Sequence, residues 1–126
     1  MTGAKLLLRH IHPNSVQDGF ASSLAFRPNP SDQGLMSVYN GDLITAEASW
    51  RHYTTVSQRQ SAGVTALAVD ECEAEGLPPR CDPVPFPEHA VVDFTGVEEK
   101  HWRTKSKKLQ AKALARGWNY QPSDAG

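Results

Sequence analysis

What is scarce in this chain bounds it first. Two cysteines among 126 residues, Cys72 and Cys81, are too few to staple a scaffold. No Cys-x-x-Cys pair occurs and the histidine spacing fits no finger pattern, so neither a metal nor any other cofactor is expected. No segment approaches the roughly 18 to 20 apolar residues that cross a bilayer. The opening MTGAKLLLRHIHP has only three leucines in a row before Arg9, too few for a secretory signal. These absences read as a cytoplasmic protein without membrane contact. Missing too are a Gly-rich phosphate loop, an HExxH helix and a GxSxG elbow, so no catalytic residue is assigned and catalysis is not the leading reading.

What is present is a globular composition, 39% apolar and 21% charged, with nine prolines and nine glycines marking many connections. Such a chain fits one domain over residues 1–126, with 118–126 a partly ordered tail in which Trp118 and Tyr120 pack back and the last residues fray. The patterning predicts an α+β fold, a mostly antiparallel sheet of about five strands with two or three helices. Strands are expected over 5–11, 20–27, 35–39, 63–69 and 89–94. In FASSLAFR, residues 20–27, period-two alternation sends Phe20, Leu24 and Phe26 one way and Ala21, Ser23, Ala25 and Arg27 the other. GVTALAV, residues 63–69, reads as a strand buried on both faces.

Helical signals follow the strands. Thr45 is placed to cap a helix whose stripe is Ala46, Trp50 and Tyr53, leaving His52 beside Arg51 on the exposed side. Asp70 and Glu73 open a short helix that Gly76 stops, and Thr95 with Glu98 forms a capping box for a long last helix ending at Gly117. Between them LPPRCDPVPFPEH, with five prolines in thirteen residues, is expected to cross the surface without ladder hydrogen bonds.

Charge is split along the chain. Residues 1–99 hold 6 Lys/Arg against 13 Asp/Glu, whereas residues 100–126 hold 7 Lys/Arg against Asp124 alone. The last helix is therefore long and basic, and Lys100, Arg103, Lys107, Lys108 and Lys112 are its candidate contacts to an anionic partner. The acidic body would repel a polyanion, so nucleic acid is not favoured; docking on an acidic protein surface, its own or a partner's, is the simpler reading.

Candidate ligand contacts lie on the strands. Arg27 offers a bidentate fork for a carboxylate or phosphate, with Ser23 as a neutral donor on the same face. The simpler role for Arg27, and the favoured one, is the solvated end of a strand before Pro28, paired with one of the body's acids. His89 opens the fifth strand beside the proline-rich loop, where an imidazole could move a proton.

The series LLRHIHP, SSLAFRP, LMSVY and FPEHAVVDF resembles a set of small bacterial proteins with R-x-I-x-P, S-x-A-F-x-P, S-V and P-x-H-A landmarks. The resemblance covers residues 6–94 and implies no activity. It places Arg9, Ser23, Phe26, Ser37 and His89 at the landmarks, Phe26 as core and the other four as polar residues that could converge at one end of a sheet. The seven-cation helix and the 44–53 helix depart from it.

Taken together these features favour a bacterial interaction module acting through a protein partner, in a defence or mobile-element setting. The alternative is an enzyme or small-ligand protein in which Arg9, Ser23, Arg27, Ser37 and His89 hold an anionic or phosphorylated small molecule. Nucleic-acid binding through the last helix ranks third. The oligomeric state is not legible.

Overall fold

The computed structural model describes residues 5–122. Its strands, in chain order, are Leu6–Ile11 (β1), Val16–Gln17 (β2), Phe20–Ala21 (β3), Leu35–Asn40 (β4), Gly63–Ala68 (β5), Pro79–Cys81 (β6) and His89–Asp93 (β7). Five of them form an antiparallel sheet in the order β5-β1-β4-β7-β6, and helices cover both faces: the fold is α+β. The helices are Ala46–Arg51 (α1), Val69–Ala74 (α2) and Trp102–Arg116 (α3).

Alternation in the strands divides the core in two. Leu7, Met36, Val38, Ala90 and Val92 point to the face that α3 covers with Leu109 and Ala113. Leu8, Tyr39, Val64 and Ala66 point to the opposite face, where Ala46, Trp50 and Tyr53 pack. β5 is buried at all six residues, as its continuous apolar run requires. Its outer edge is closed by the tail, with Val64 N–H donating to Tyr120 C=O at 2.8 Å. A Cβ at Gly63 would meet the Trp118 ring at 2.8 Å, so glycine lets the tail approach. The fraying expected of the last residues falls outside the described residues, which end at 122.

The largest departure from the alternation pattern is at residues 20–27. Only Phe20–Ala21 pairs as a strand, and Ser23–Phe26 forms a 3-10 turn. Two causes are visible. Asp18 and Gly19 both have positive φ, 53° and 81°, the geometry of a two-residue hairpin that pairs β3 with β2 instead of the main sheet. The segment then curls to bury Ala25 and Phe26 on the α3 face, which leaves Leu24 55% exposed rather than inward. Tertiary burial outweighs the local pattern here.

Smaller corrections share one origin, a nearer hydrogen-bond partner. The Thr95–Glu98 capping box does not form, because Thr95 donates both N–H and hydroxyl to Asp93 Oδ1, at 2.7 and 2.5 Å. The last helix begins instead with a 3-10 turn at Glu99–His101. α2 starts one residue before Asp70, with Glu71 Oε1 accepting from Ala68 N–H at 2.8 Å. Thr45 does cap α1, accepting from Ala48 N–H at 3.1 Å. The proline-rich segment does enter a ladder: β6 pairs with β7 as Pro79–Val92, Arg80–Val91 and Cys81–Ala90. Proline is tolerated there because β6 is an edge.

Candidate functional site

A break in the sheet creates the site. β1 pairs with β5 along six residues but with β4 only at Leu7–Asn40 and Leu8–Tyr39, after which the two strands part. The Arg9 side chain fills the opening. Its Nε donates to Ala25 C=O at 2.8 Å and one terminal nitrogen donates to Ser37 C=O at 2.7 Å. The other terminal nitrogen reaches Arg27 C=O at 3.4 Å. One guanidinium thus joins β1, β4 and the 3-10 turn, replacing ladder bonds that parted strands cannot make.

Three N–H groups are spent on carbonyls, so a guanidinium with five donors keeps two more. Enclosure by protein lowers the Arg9 pKa from its ordinary value, while Tyr53 and Asp32 act in the opposite direction. Among the described residues Arg9 makes no ion pair. It borders a cavity of about 340 Å³, at the lower end of the size range for small-molecule sites. Ser37, Tyr39, Tyr53, Arg59, Phe86 and His89 also line it, together with one acid, Asp32.

His89 and Ser37 stand on neighbouring strands of one face, with His89 Nε2 3.2 Å from Ser37 Oγ. The other ring nitrogen, Nδ1, is 2.9 Å from Asp82 C=O and 3.4 Å from Asp82 Oδ2. Only acceptors face Nδ1, so Nδ1 carries a hydrogen, and the tautomer with that hydrogen alone presents Nε2 to the serine hydroxyl as an acceptor.

The opposite wall is aromatic. Tyr39 packs against Phe86 with centroids 5.0 Å apart, and its hydroxyl lies 2.7 Å from His52 Nδ1. Burial pushes the Tyr39 phenol up to about 12. His52, expected on the exposed side of its helix, is half-buried against Phe86 at 4.4 Å. The helix continues there as a π turn over His52–Val56, closed by Ser57 N–H donating to His52 C=O at 3.0 Å. Tyr53 lines the cavity from the same stripe as Ala46 and Trp50, and His52 stands behind Phe86.

Below them His10 stacks on Tyr53, 4.2 Å and 5° from parallel. Burial first, then the charges of Arg9 and His52, lower its pKa to about 3. Ser61 Oγ donates to Gly63 C=O at 2.9 Å and so accepts from His10 Nδ1–H at 3.1 Å, leaving His10 Nε2 as a buried acceptor without a partner among the described residues. Histidine at this position gives no sequence signal beyond its place on the first strand.

The five sequence candidates therefore separate. Arg9, Ser37 and His89 border one cavity. Ser23 and Arg27 do not, because the 3-10 turn carries their side chains elsewhere; only the Arg27 carbonyl takes part. Aromatic residues and Arg59 were not singled out, since no spacing rule brings residues 39, 53, 59 and 86 together.

The basic helix finds acids within the chain. Lys105 and Lys108 stand 3.5 and 3.6 Å from Glu75, and Arg116 makes a two-pronged pair with Glu71, 3.0 Å on each side, plus a bond to Ala66 C=O at 2.9 Å. Burial would raise the Glu71 carboxyl, but the Arg116 and Ala68 donors bring it below the usual range. Lys100 reaches only exposed Glu98, at 3.7 Å. Arg103, Lys107 and Lys112 are exposed and make no ion pair among the described residues. Among those residues, no helix is long and apolar enough to cross a membrane.

No family model, curated protein or solved structure matches the chain, so the motif resemblance rests on its short landmarks alone.

Proposed function

We propose that this chain binds a small anionic molecule, through a carboxylate or a phosphate, in the cavity beside Arg9. The observation that carries the reading is the Arg9 guanidinium, charged and without an acid partner among the described residues, at the lining of a small-molecule-sized space. A cation held that way favours an anion that can take its two remaining N–H groups side by side. Arg59 adds a second positive charge at the rim, and Ser37 adds a hydroxyl. Tyr39, Tyr53 and Phe86 supply the apolar walls against which the rest of the ligand packs. Two free thiols, with Cys81 exposed, suit a reducing compartment such as the cytoplasm.

The test is the thermal midpoint in sodium phosphate and in sodium succinate against sodium chloride at equal ionic strength. A ligand at about a hundred times its Kd adds about 2.7 kcal/mol to stability, a shift of several degrees. The gain is expected to shrink in Arg59→Ala and vanish in Arg9→Lys, which keeps the charge but loses the fork. Identical midpoints in all three salts would overturn the proposal.

A second reading, a protein partner, draws support from the outer face of α3, where Arg103, Lys107 and Lys112 are exposed and Leu114 is 46% exposed. Charge reversal at Lys107 and Lys112 is expected to abolish co-purification of an acidic protein. Recovery of the same proteins by the reversed variant argues against it.

A further inference from the structure

Resting on the anion-binding reading, the geometry points to a reaction at the same site: Ser37, His89 and Asp82 form a serine–histidine–acid relay that hydrolyses a small carboxylic ester bearing a negative charge. The relay is recognised by atoms and distances rather than by a sequence elbow. Ser37 Oγ is within 3.2 Å of His89 Nε2, and His89 Nδ1 is within 2.9 Å of the Asp82 carbonyl and 3.4 Å of its carboxylate. Two acceptors on one side of the ring and a hydroxyl on the other leave the histidine in the tautomer a general base needs.

The surroundings match the role. Ser37 is exposed while the His89 side chain is only 13% exposed, so a substrate can reach the hydroxyl and the base is held by protein. The β4–β7 register fixes the pair: Tyr39 faces His89 and Ser37 faces Val91, so Ser37 and His89 are diagonal neighbours on one face. Phe86 sits edge-on to His89 at 5.4 Å and restricts its rotation. Arg9, which donates to the Ser37 carbonyl at 2.7 Å, borders the same cavity as Ser37 and His89 and supplies the charge that holds an anionic substrate there.

The steps balance with water as the only co-reactant. Ser37 Oγ bonds to the acyl carbon as its proton passes to His89 Nε2, and the carbonyl electron pair moves onto oxygen. When the pair returns, the bond to the alcohol oxygen breaks and the alcohol leaves with the proton from Nε2. Water then attacks the acyl-serine, gives a proton to Nε2, and Ser37 Oγ departs with that proton. The sum is ester plus water giving acid plus alcohol. Asp82 touches no reacting atom; it is a positioning residue that orients His89 and steadies its charged form.

The probe is p-nitrophenyl succinate, which carries a free carboxylate, with neutral p-nitrophenyl butyrate as its comparison. Wild-type protein is expected to release a burst of p-nitrophenolate approaching one equivalent from the succinyl ester, with one succinyl group mapped to Ser37. Ser37→Ala is expected to lose the burst and the adduct while unfolding at the wild-type temperature. His89→Gln is expected to slow acylation about 100-fold or more. Asp82→Ala keeps the main-chain carbonyl and is expected to lower the burst rate constant at unchanged burst amplitude, whereas loss of structure would lower the amplitude. Burst amplitude unchanged in Ser37→Ala, or an adduct mapped only to Cys81 or a lysine, would overturn the relay. If phosphate and succinate stabilise the wild type but no acyl-serine forms, hydrolysis falls and anion binding stands. If neither salt stabilises it and no burst appears, both fall.

Discussion

The two faces of the sheet are built from the same strands and differ in almost every other respect. On the α3 side, Leu7, Phe26, Met36, Leu67, Val92, Phe94 and Leu109 are fully enclosed. On the other side, Tyr39, His10, His52, Tyr53, Phe86 and His89 form a chain of rings whose neighbouring centroids lie 4.2 to 5.6 Å apart. The first face buries mostly hydrocarbon, and the polar side chains enclosed there, Thr65 and Ser106, donate to main-chain carbonyls, so it supplies stability. The second encloses rings that, Phe86 apart, carry a polar tip, and a cavity stays open among them. Arg9 belongs to both, its guanidinium reaching the 3-10 turn that seals the first face and the cavity that opens the second.

That contrast can be broken first on the enclosed side. Phe26→Ala is expected to cost about 3 to 5 kcal/mol in chemical denaturation, because the ring is fully buried between sheet and α3. A loss below about 1 kcal/mol would mean that this face is not the main store of stability.

A pH titration sharpens the other side. His10 is neutral when folded, with its pKa lowered to about 3, whereas the unfolded chain takes up a proton near 6.5. The unfolded state therefore binds more protons as pH falls through that interval. His10 should subtract stability below about pH 6.5, by about 1.4 kcal/mol per pH unit, until about pH 3. The difference between wild type and His10→Gln, measured by denaturation from pH 7 to pH 4, isolates this slope from the carboxylates. Parallel curves would show that the ring is not shut away from solvent.

The smallest expected effect lies at the helix that roofs the cavity. Thr45→Ala removes the α1 cap and should cost about 1 kcal/mol. If the π turn depends on a well-anchored α1, the same variant will also raise amide exchange at Tyr53 and Ser57 above that at Trp102. Equal exchange would uncouple the roof from its cap.

Several features were open to inspection in one dimension. The strands at 6–11, 35–40, 63–68 and 89–93 carry their own periodicity, and Thr45 announces its helix. Asp18-Gly19 was an equally plain hairpin signal, yet the alternation that follows it resembles a longer strand than the chain makes. Residues 20–27 satisfy period two equally well as an extended segment or as a curl that buries Ala25 and Phe26, and only the α3 surface distinguishes them. The Thr95–Glu98 box was outcompeted by Asp93, two residues away in sequence but fixed by its own strand.

Residue order alone, then, determined the alternation that pleats the sheet, the turns that reverse it and the charge imbalance between body and last helix, because each depends on neighbours a few positions apart. Tertiary structure alone decided that β1 and β4 part, that Arg9 enters the gap, and that the acids answering Lys105, Lys108 and Arg116 lie on α2 and at its C-terminal cap. It also decided that Ser37 meets His89 across 52 positions of chain. Register and packing bring such groups together, and no local spacing encodes either.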